Sequence, residues 1–223
     1  MGITSTYEGM IKYTTDEWNN IPYYINVVES LRMSKIKSYI EVGACLGVVA
    51  NLLNSKIPTI ETSILIEALP SNFIELNKNL QSDKIKIYKF HCAVYYGQDF
   101  VTMGNDGSHE SGLYNVGGFG IQNILANHHQ HNTTVEIPTI TLEEIIKGDT
   151  IDFIKIDVEG AEKNIIENST ALPLIKYMEI ELHDELSNDS IYPAFLKQYF
   201  PDHIIMLTHR QSYATLNLFL GKI

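Results

Sequence analysis

The feature that most constrains this chain is the short spacing between its last two apolar runs. His203–Thr208 and Ala214–Leu220 are joined only by His209–Tyr213. A parallel crossover needs a dozen residues or more, so these runs must form an antiparallel hairpin. The runs upstream are different. Tyr39–Val42, Ser63–Glu67, Ile85–Val94, Ile151–Asp157 and Tyr177–His183 are short and mostly apolar on both faces, as strands of a covered parallel sheet are. Helix signals fall between many of them. Val48–Leu53 follows a glycine turn, Ser71–Leu80 follows Pro70, and Thr141 with Glu144 spells a capping box. Gly160–Asn168 and Ser190–Phe200 complete the set. This alternation predicts a doubly wound, Rossmann-like α/β domain: a seven-stranded, mostly parallel sheet with a reversed terminal strand and helices on both faces.

Two stretches stand outside the alternation. Residues 1–37 read as an N-terminal helical extension before a domain over 38–223. Its helix, Asp16–Leu31, is opened by a Thr14–Glu17 capping box and is expected over the cofactor or acceptor side. Residues 95–150 form an unusually long connection. Within it, Gly104–Gly120 carries six glycines and His109, and reads either as an acceptor-binding flap or as a surface hairpin without chemistry. With 44% apolar residues, a sizeable core is expected. The net charge of -11, with no Lys/Arg cluster against it, disfavours a nucleic-acid partner. No apolar run reaches membrane-spanning length and no signal segment opens the chain, so a cytoplasmic setting is expected. Cys45 and Cys92 then read as reduced, buried thiols.

Five segments carry candidate chemistry. In Tyr39–Gly47 a strand meets a turn with glycines four apart, Gly43 and Gly47, and then a helix. Glycine supplies the turn conformations and lets a ligand approach the backbone, and open α/β sheets bind ligands at the carboxyl ends of their strands. The spacing is not that of a pyrophosphate cradle, which weakens a nicotinamide reading. Glu67 closes the second run 24 residues after Gly43, an offset that suits a carboxylate accepting ribose hydroxyls. Cys92 and Ala93, at the end of the third run, leave room for a flat ring or simply pack closely. Lys155, Asp157 and Glu159 share one face of the fourth run by period two, as do Glu179, Glu181 and His183 in the fifth. Charges on a central strand are costly unless paired or used, and Lys155 can pair with Asp157 or Glu159. No metal is expected: His128, His129 and His131 lack matching carboxylates. Ser108-His109-Glu110 lacks the elbow of a hydrolase nucleophile.

The run Lys155-Ile156-Asp157-Val158-Glu159-Gly160-Ala161-Glu162 resembles the signature of the FkbM methyltransferases. The similarity extends to Glu41–Gly47, to Glu67 with Pro70 and Phe73, and to Thr141–Glu144. A mostly parallel sheet ending in a reversed strand is likewise the plan of class I methyltransferases. The resemblance implies S-adenosylmethionine as donor and, as acceptor, a hydroxyl of a sugar, glycan or other natural product. It implies that Glu41, Gly43, Ala44, Cys45, Leu46 and Gly47 meet the cofactor, together with Glu67, Ala68, Cys92, Ala93 and Asp157. It places Glu181 and His183 near the acceptor, and Glu159 is a further catalytic candidate. The first motif departs from the family pattern, with Glu41 where Asp is usual and Cys45 where Asn is common. Asp157, His109 and His183 are the candidate bases for an alcohol acceptor. A catalytically silent cofactor-binding module and a nucleotide-binding oxidoreductase stay open as alternatives.

Overall fold

The computed structural model describes residues 12, 15–16, 18–105, 119–121 and 134–223. The sequence pattern builds a seven-stranded sheet from β1 (Ser38–Val42), β2 (Thr62–Glu67), β3 (Lys86–His91), β8 (Phe153–Ile156), β9 (Tyr177–His183), β10 (His203–Arg210) and β11 (Thr215–Lys222). Their order is β10-β11-β9-β8-β1-β2-β3. Neighbouring strands are parallel except around β11, which runs antiparallel to both β10 and β9. The short link after Arg210 thus reverses the last strand, as its length requires.

Alternate side chains along the strands feed two cores. On one face Ile40, Ile64, Ile66, Ile154, Ile156 and Ile180 pack under α4 (Leu142–Ile146), α5 (Glu162–Asn168) and α6 (Tyr192–Tyr199). On the other, Tyr39, Leu65, Phe153 and Phe219 pack under α1 (Pro22–Met33), α2 (Val48–Lys56) and α3 (Pro70–Asn79). Helices therefore cover both faces. The capping box at Thr141 forms as the sequence predicts, with the hydroxyl accepting from the Glu144 N–H and the Glu144 carboxylate accepting from the Thr141 N–H. Glu143 serves another element. Its carboxylate accepts from Tyr96, Ser169 and the N–H groups of Thr170 and Ala171, and these donors hold its pKa down at about 2 against the push of burial.

Three expectations about elements need correction. The N-terminal helix does not run unbroken from Asp16. Ile21 is extended, and α1 begins afresh at Pro22, because proline disfavours helical geometry in the residue before it. The Thr14–Glu17 capping box lies outside the described residues. The third run divides at Cys92. β3 ends at His91, while β4 (Ala93–Val94) leaves the main sheet and pairs with β7 (Thr134–Ile140). Finally, the long connection contributes strands of its own. β5 (Phe100–Asn105) pairs antiparallel with β7 and with β6 (Phe119–Ile121), which gives a second sheet in the order β4-β7-β5-β6. Ala93, Val101, Met103 and Ile137 pack that sheet against Leu69 and Ala161. The remainder of the predicted flap, with His109 and the 128–131 histidines, lies outside the described residues.

Candidate active site

The carboxyl ends of β1, β2 and β8 are brought together by backbone, and that junction explains the first glycine. Gly43 N–H and Ala44 N–H both reach the Ile66 carbonyl, and Asp157 N–H reaches the Val42 carbonyl. Gly43 has φ +85°, and a Cβ there would lie 1.8 Å from the Asp157 carbonyl oxygen. Only glycine lets the two strand ends approach so closely. Gly47, at φ +80°, begins α2, and a Cβ on it would press to 2.7 Å from Leu76 of α3.

Beyond these strand ends lies a cavity of about 270 Å³. Of the cofactor residues expected from sequence, Gly43, Cys45, Glu67, Ala68, Cys92, Ala93 and Asp157 line it. Glu41, Ala44, Leu46 and Gly47 lie outside its wall. Ala44 and Leu46 are buried in the protein, and Glu41 sits within the sheet. Glu159 also lines the cavity, whereas Glu181 and His183 stand behind it, with His183 against Glu159. Sequence reading missed Asn72, Leu69, Met103, Val158 and Ala161, all on the wall. Asn72 had a local signal, since it follows Pro70 in the first turn of a helix that starts at a strand end. Met103 had none, because the second sheet brings it in.

Glu67 is fixed by the turn it faces. One carboxylate oxygen accepts from Cys45 N–H at 2.7 Å and the other from Leu69 N–H at 2.8 Å. Burial nevertheless pushes its pKa up to about 7, above what those donors restore. Asn72 Nδ2 lies 3.7 Å from Cys45 Sγ. An amide thus stands beside the position where the family commonly carries asparagine. Burial also pushes the Cys45 thiol far up, which disfavours its thiolate form.

A row of charges crosses the sheet at the same level. Glu41 on β1, Lys155 on β8 and Glu179 on β9 are register neighbours, and all are buried. Lys155 Nζ lies 2.8 Å from Asp157, the first of the two pairings the sequence allowed. Burial would strip Lys155 of its proton, but Asp157, Glu179 and Glu41 hold it charged. Burial pushes Asp157 up, yet Lys155 overrides this and keeps it below the usual carboxylate range. One cation does not serve every carboxylate in the row. Burial drives Glu41 up to about 8 and Glu179 to about 7, and one oxygen of each has no hydrogen-bond partner among the described residues. Glu179 also accepts from Tyr23 of α1, and Asn217 bridges Glu179 and Glu181.

At the cavity's other side the β8–α5 turn holds Glu159 at φ +53°, followed by Gly160 at φ +103°. Left-handed geometry is uncommon for a residue with a side chain and clusters at functional sites. Burial and nearby carboxylates push Glu159 up to about 7 against the pull of His183. Burial would lower His183, but Glu162, Glu181 and Glu159 raise it to about 11. Asp157, Glu159 and His183 bring one ligand-type atom each within 4.8 Å of one another. That spacing could hold a cation. With His183 protonated, its proton and Lys155 already serve those carboxylates.

The donor set fits an adenosine-bearing cofactor: apolar walls for a flat ring, and Glu67 at the end of β2 for hydroxyls. Fold and site together define a Rossmann-like α/β domain with a ligand cavity at the carboxyl ends of its strands. The family model described as Methyltransferase FkbM domain matches residues 41–213, and the chain belongs to that family. Among solved structures, the methyltransferase FkbM of Methylobacillus flagellatus KT is similar at 16% identity and TM-score 0.51. The match covers 83% of this chain and 44% of that one, so this chain spans less than half of its length. A putative RNA methyltransferase of Pyrococcus horikoshii matches at 10% identity and TM-score 0.50, over 90% of this chain and 83% of that one. A putative tRNA (m1A22) methyltransferase of Streptococcus pneumoniae matches at 12% and 0.50, over 91% and 70%. At these identities the likeness is one of fold. No curated protein matches the chain. Among the described residues no helix is long and apolar enough to cross a membrane.

Proposed function

We propose that this chain is an O-methyltransferase that moves a methyl group from S-adenosylmethionine to a hydroxyl of a sugar or glycan. The observation that carries the reading is the pair of carboxylates on one cavity wall. Glu67 is fixed at the end of β2, and Glu159 faces the cavity with its pKa raised to about 7. Membership of the FkbM family supports the donor. When bound, that donor supplies an electrophilic methyl group on a positively charged sulfur.

The chain's own residues bind, orient and manage a proton. The Gly43–Gly47 turn, Glu67 and Asn72 hold the adenosine end, and Cys92, Ala93 and Leu69 exclude water from it. Asp157, ionised beside Lys155, favours a positively charged group nearby. Displacement needs the acceptor oxygen in line, which a shaped cavity achieves by orientation. An alcohol must also lose its proton, and a base works best with a pKa near the working pH. Glu159 meets that condition better than Asp157, held low by Lys155, or His183, held protonated by its carboxylates. His109 remains a candidate from sequence. The acidic surface and the family's usual chemistry favour a sugar over a polyanion.

Calorimetric titration with S-adenosylhomocysteine and with NAD, followed by methyl-transfer assays on a sugar panel, tests the reading. Binding of the first ligand alone, with a methyl ether formed on a sugar, is expected. Lack of cofactor binding would sink the proposal. Binding without turnover of any sugar would favour another natural-product acceptor or a silent module.

A further inference from the structure

The pairing of β5 with β7 delivers one long side chain to the cavity. Val101 and Met103 share a face of β5 by period two, and their register partners on β7 are Ile137 and Val135. That face is turned inward, since Val101, Met103 and Ile137 are buried in one cluster with Leu69, Ala93 and Ala161. Among the described residues of β5, β6 and β7, Met103 alone also lines the cavity. Its neighbours fix which part of the wall it occupies. Leu69 donates its N–H to Glu67, so it stands directly beside the carboxylate assigned to the ribose hydroxyls. Ala93 reaches the same place from β3, whose last residue, His91, is the register partner of Glu67. Both Leu69 and Ala93 line the cavity.

From this geometry we infer that Met103 packs against the adenine ring of the cofactor, so that the second sheet is part of the donor site. The inference rests on the reading of the cavity as the place of an adenosine-bearing donor. A base on a ribose held at Glu67 has Leu69 and Ala93 beside it, and Met103 belongs to the same stretch of wall. Ala93 and Ala161 are small and leave room for a ring, whereas Met103 brings an unbranched thioether that adapts to a flat surface and makes favourable sulfur–aromatic contacts. A sheet holds this side chain in place. β5 is paired with β7, β7 with β4, and β4 follows β3 after a single residue, Cys92. Met103 is thereby tied back to the strand end that carries Cys92 and Ala93. The described strands of the long connection thus gain a donor-side role that is separate from any acceptor-binding flap.

Calorimetry on variants of the full chain tests this. Met103→Ala removes the thioether and should weaken S-adenosylhomocysteine by about five- to thirtyfold. Methylthioadenosine keeps the adenine and lacks the amino acid, and it should lose the same factor. Met103→Leu conserves volume and apolar contact and should stay within about threefold of the unaltered chain. Val101→Ala truncates the neighbouring side chain of the same cluster, away from the cavity wall, and should also stay within about threefold. A second measurement uses the unaltered protein with 13C-methyl-methionine, the Met103 signal being assigned by its loss in Met103→Leu. S-adenosylhomocysteine and methylthioadenosine should move that signal by ring current, and S-ribosylhomocysteine, which lacks the purine, should not. Unchanged affinity in Met103→Ala overturns the inference, as do equal losses in Met103→Ala and Val101→Ala. A Met103 methyl signal indifferent to the purine ligands overturns it too, and that measurement decides if Met103→Ala does not fold. Absence of S-adenosylhomocysteine binding by the unaltered protein would instead fail the donor reading itself. No acceptor enters these measurements, so a failure of the sugar reading leaves them standing.

Discussion

Single residues divide the site's work between its carboxylates. Glu67, tied to Cys45 and Leu69 N–H groups, is the carboxylate we propose for cofactor binding. Glu67→Gln should weaken S-adenosylhomocysteine on the order of ten- to a hundredfold by calorimetry, the effect of one charge-assisted hydrogen bond. Glu159→Gln should leave that affinity within a few-fold but lower kcat by about 10²–10⁴, the range for loss of a positioned base. Asp157→Ala removes the closest partner of buried Lys155. It should cut kcat by about two orders of magnitude or more, and weaken cofactor binding less. Full turnover in that variant would remove Asp157 from the site. Much of this was legible residue by residue. The Gly43–Glu67 offset and the Lys155–Glu162 run marked strand ends that line the cavity. The reason for Gly43 was not legible, because the Asp157 carbonyl that excludes a Cβ lies far along the chain.

Among the elements, α1 has the most to answer for. Trp18, Tyr23, Tyr24, Val27 and Leu31 are buried in the same cluster as Tyr39, Phe153 and Phe219 of the sheet. Tyr23 also donates to Glu179 in the row of charges. A boundary at residue 37 therefore divides a shared core, and we propose that residues 1–37 complete the domain as much as extend it. Leu31→Ala should cost about 2–5 kcal/mol in urea unfolding, as large-to-small changes at fully buried sites do. Removal of residues 1–37 should abolish cooperative unfolding, and a stably folded 38–223 fragment would restore the boundary read from sequence. Patterning could not assign the second sheet. β4 is two residues long, and the pairing of β5 with β7 joins segments separated by a long stretch of chain.

Across the whole molecule, the buried carboxylates make stability fall as pH rises. Glu41, Glu67, Glu159 and Glu179 have folded pKa values raised to about 7–8. Between the ordinary carboxylate range and pH 8, the folded protein holds protons the unfolded chain has released, so each step upward costs stability. His183 acts in the same direction. Its raised pKa contributes stability that is full below the ordinary histidine value and is lost toward pH 11. Glu143, held at about 2, protects only against acid, losing its contribution as pH falls from the ordinary range toward that value. Denaturant midpoints for the cofactor-free protein should therefore be higher at pH 5.5 than at pH 8.5. A midpoint that rises over that interval would mean these groups are not buried as described.

The sequence by itself determined the local and periodic features. Apolar runs set the strands, a link too short for a crossover reversed the last one, and Thr141 with Glu144 capped a helix. Glycines and carboxylates at strand ends marked the side of the sheet that carries the site. Tertiary structure alone decided what those groups do to one another. It set Lys155 against Asp157 rather than Glu159 and placed Glu159 on the cavity wall with His183 behind it. It also brought Met103 in from a second sheet. Burial and through-space charge fix a proton's affinity, and neither is written in the spacing of residues along a chain.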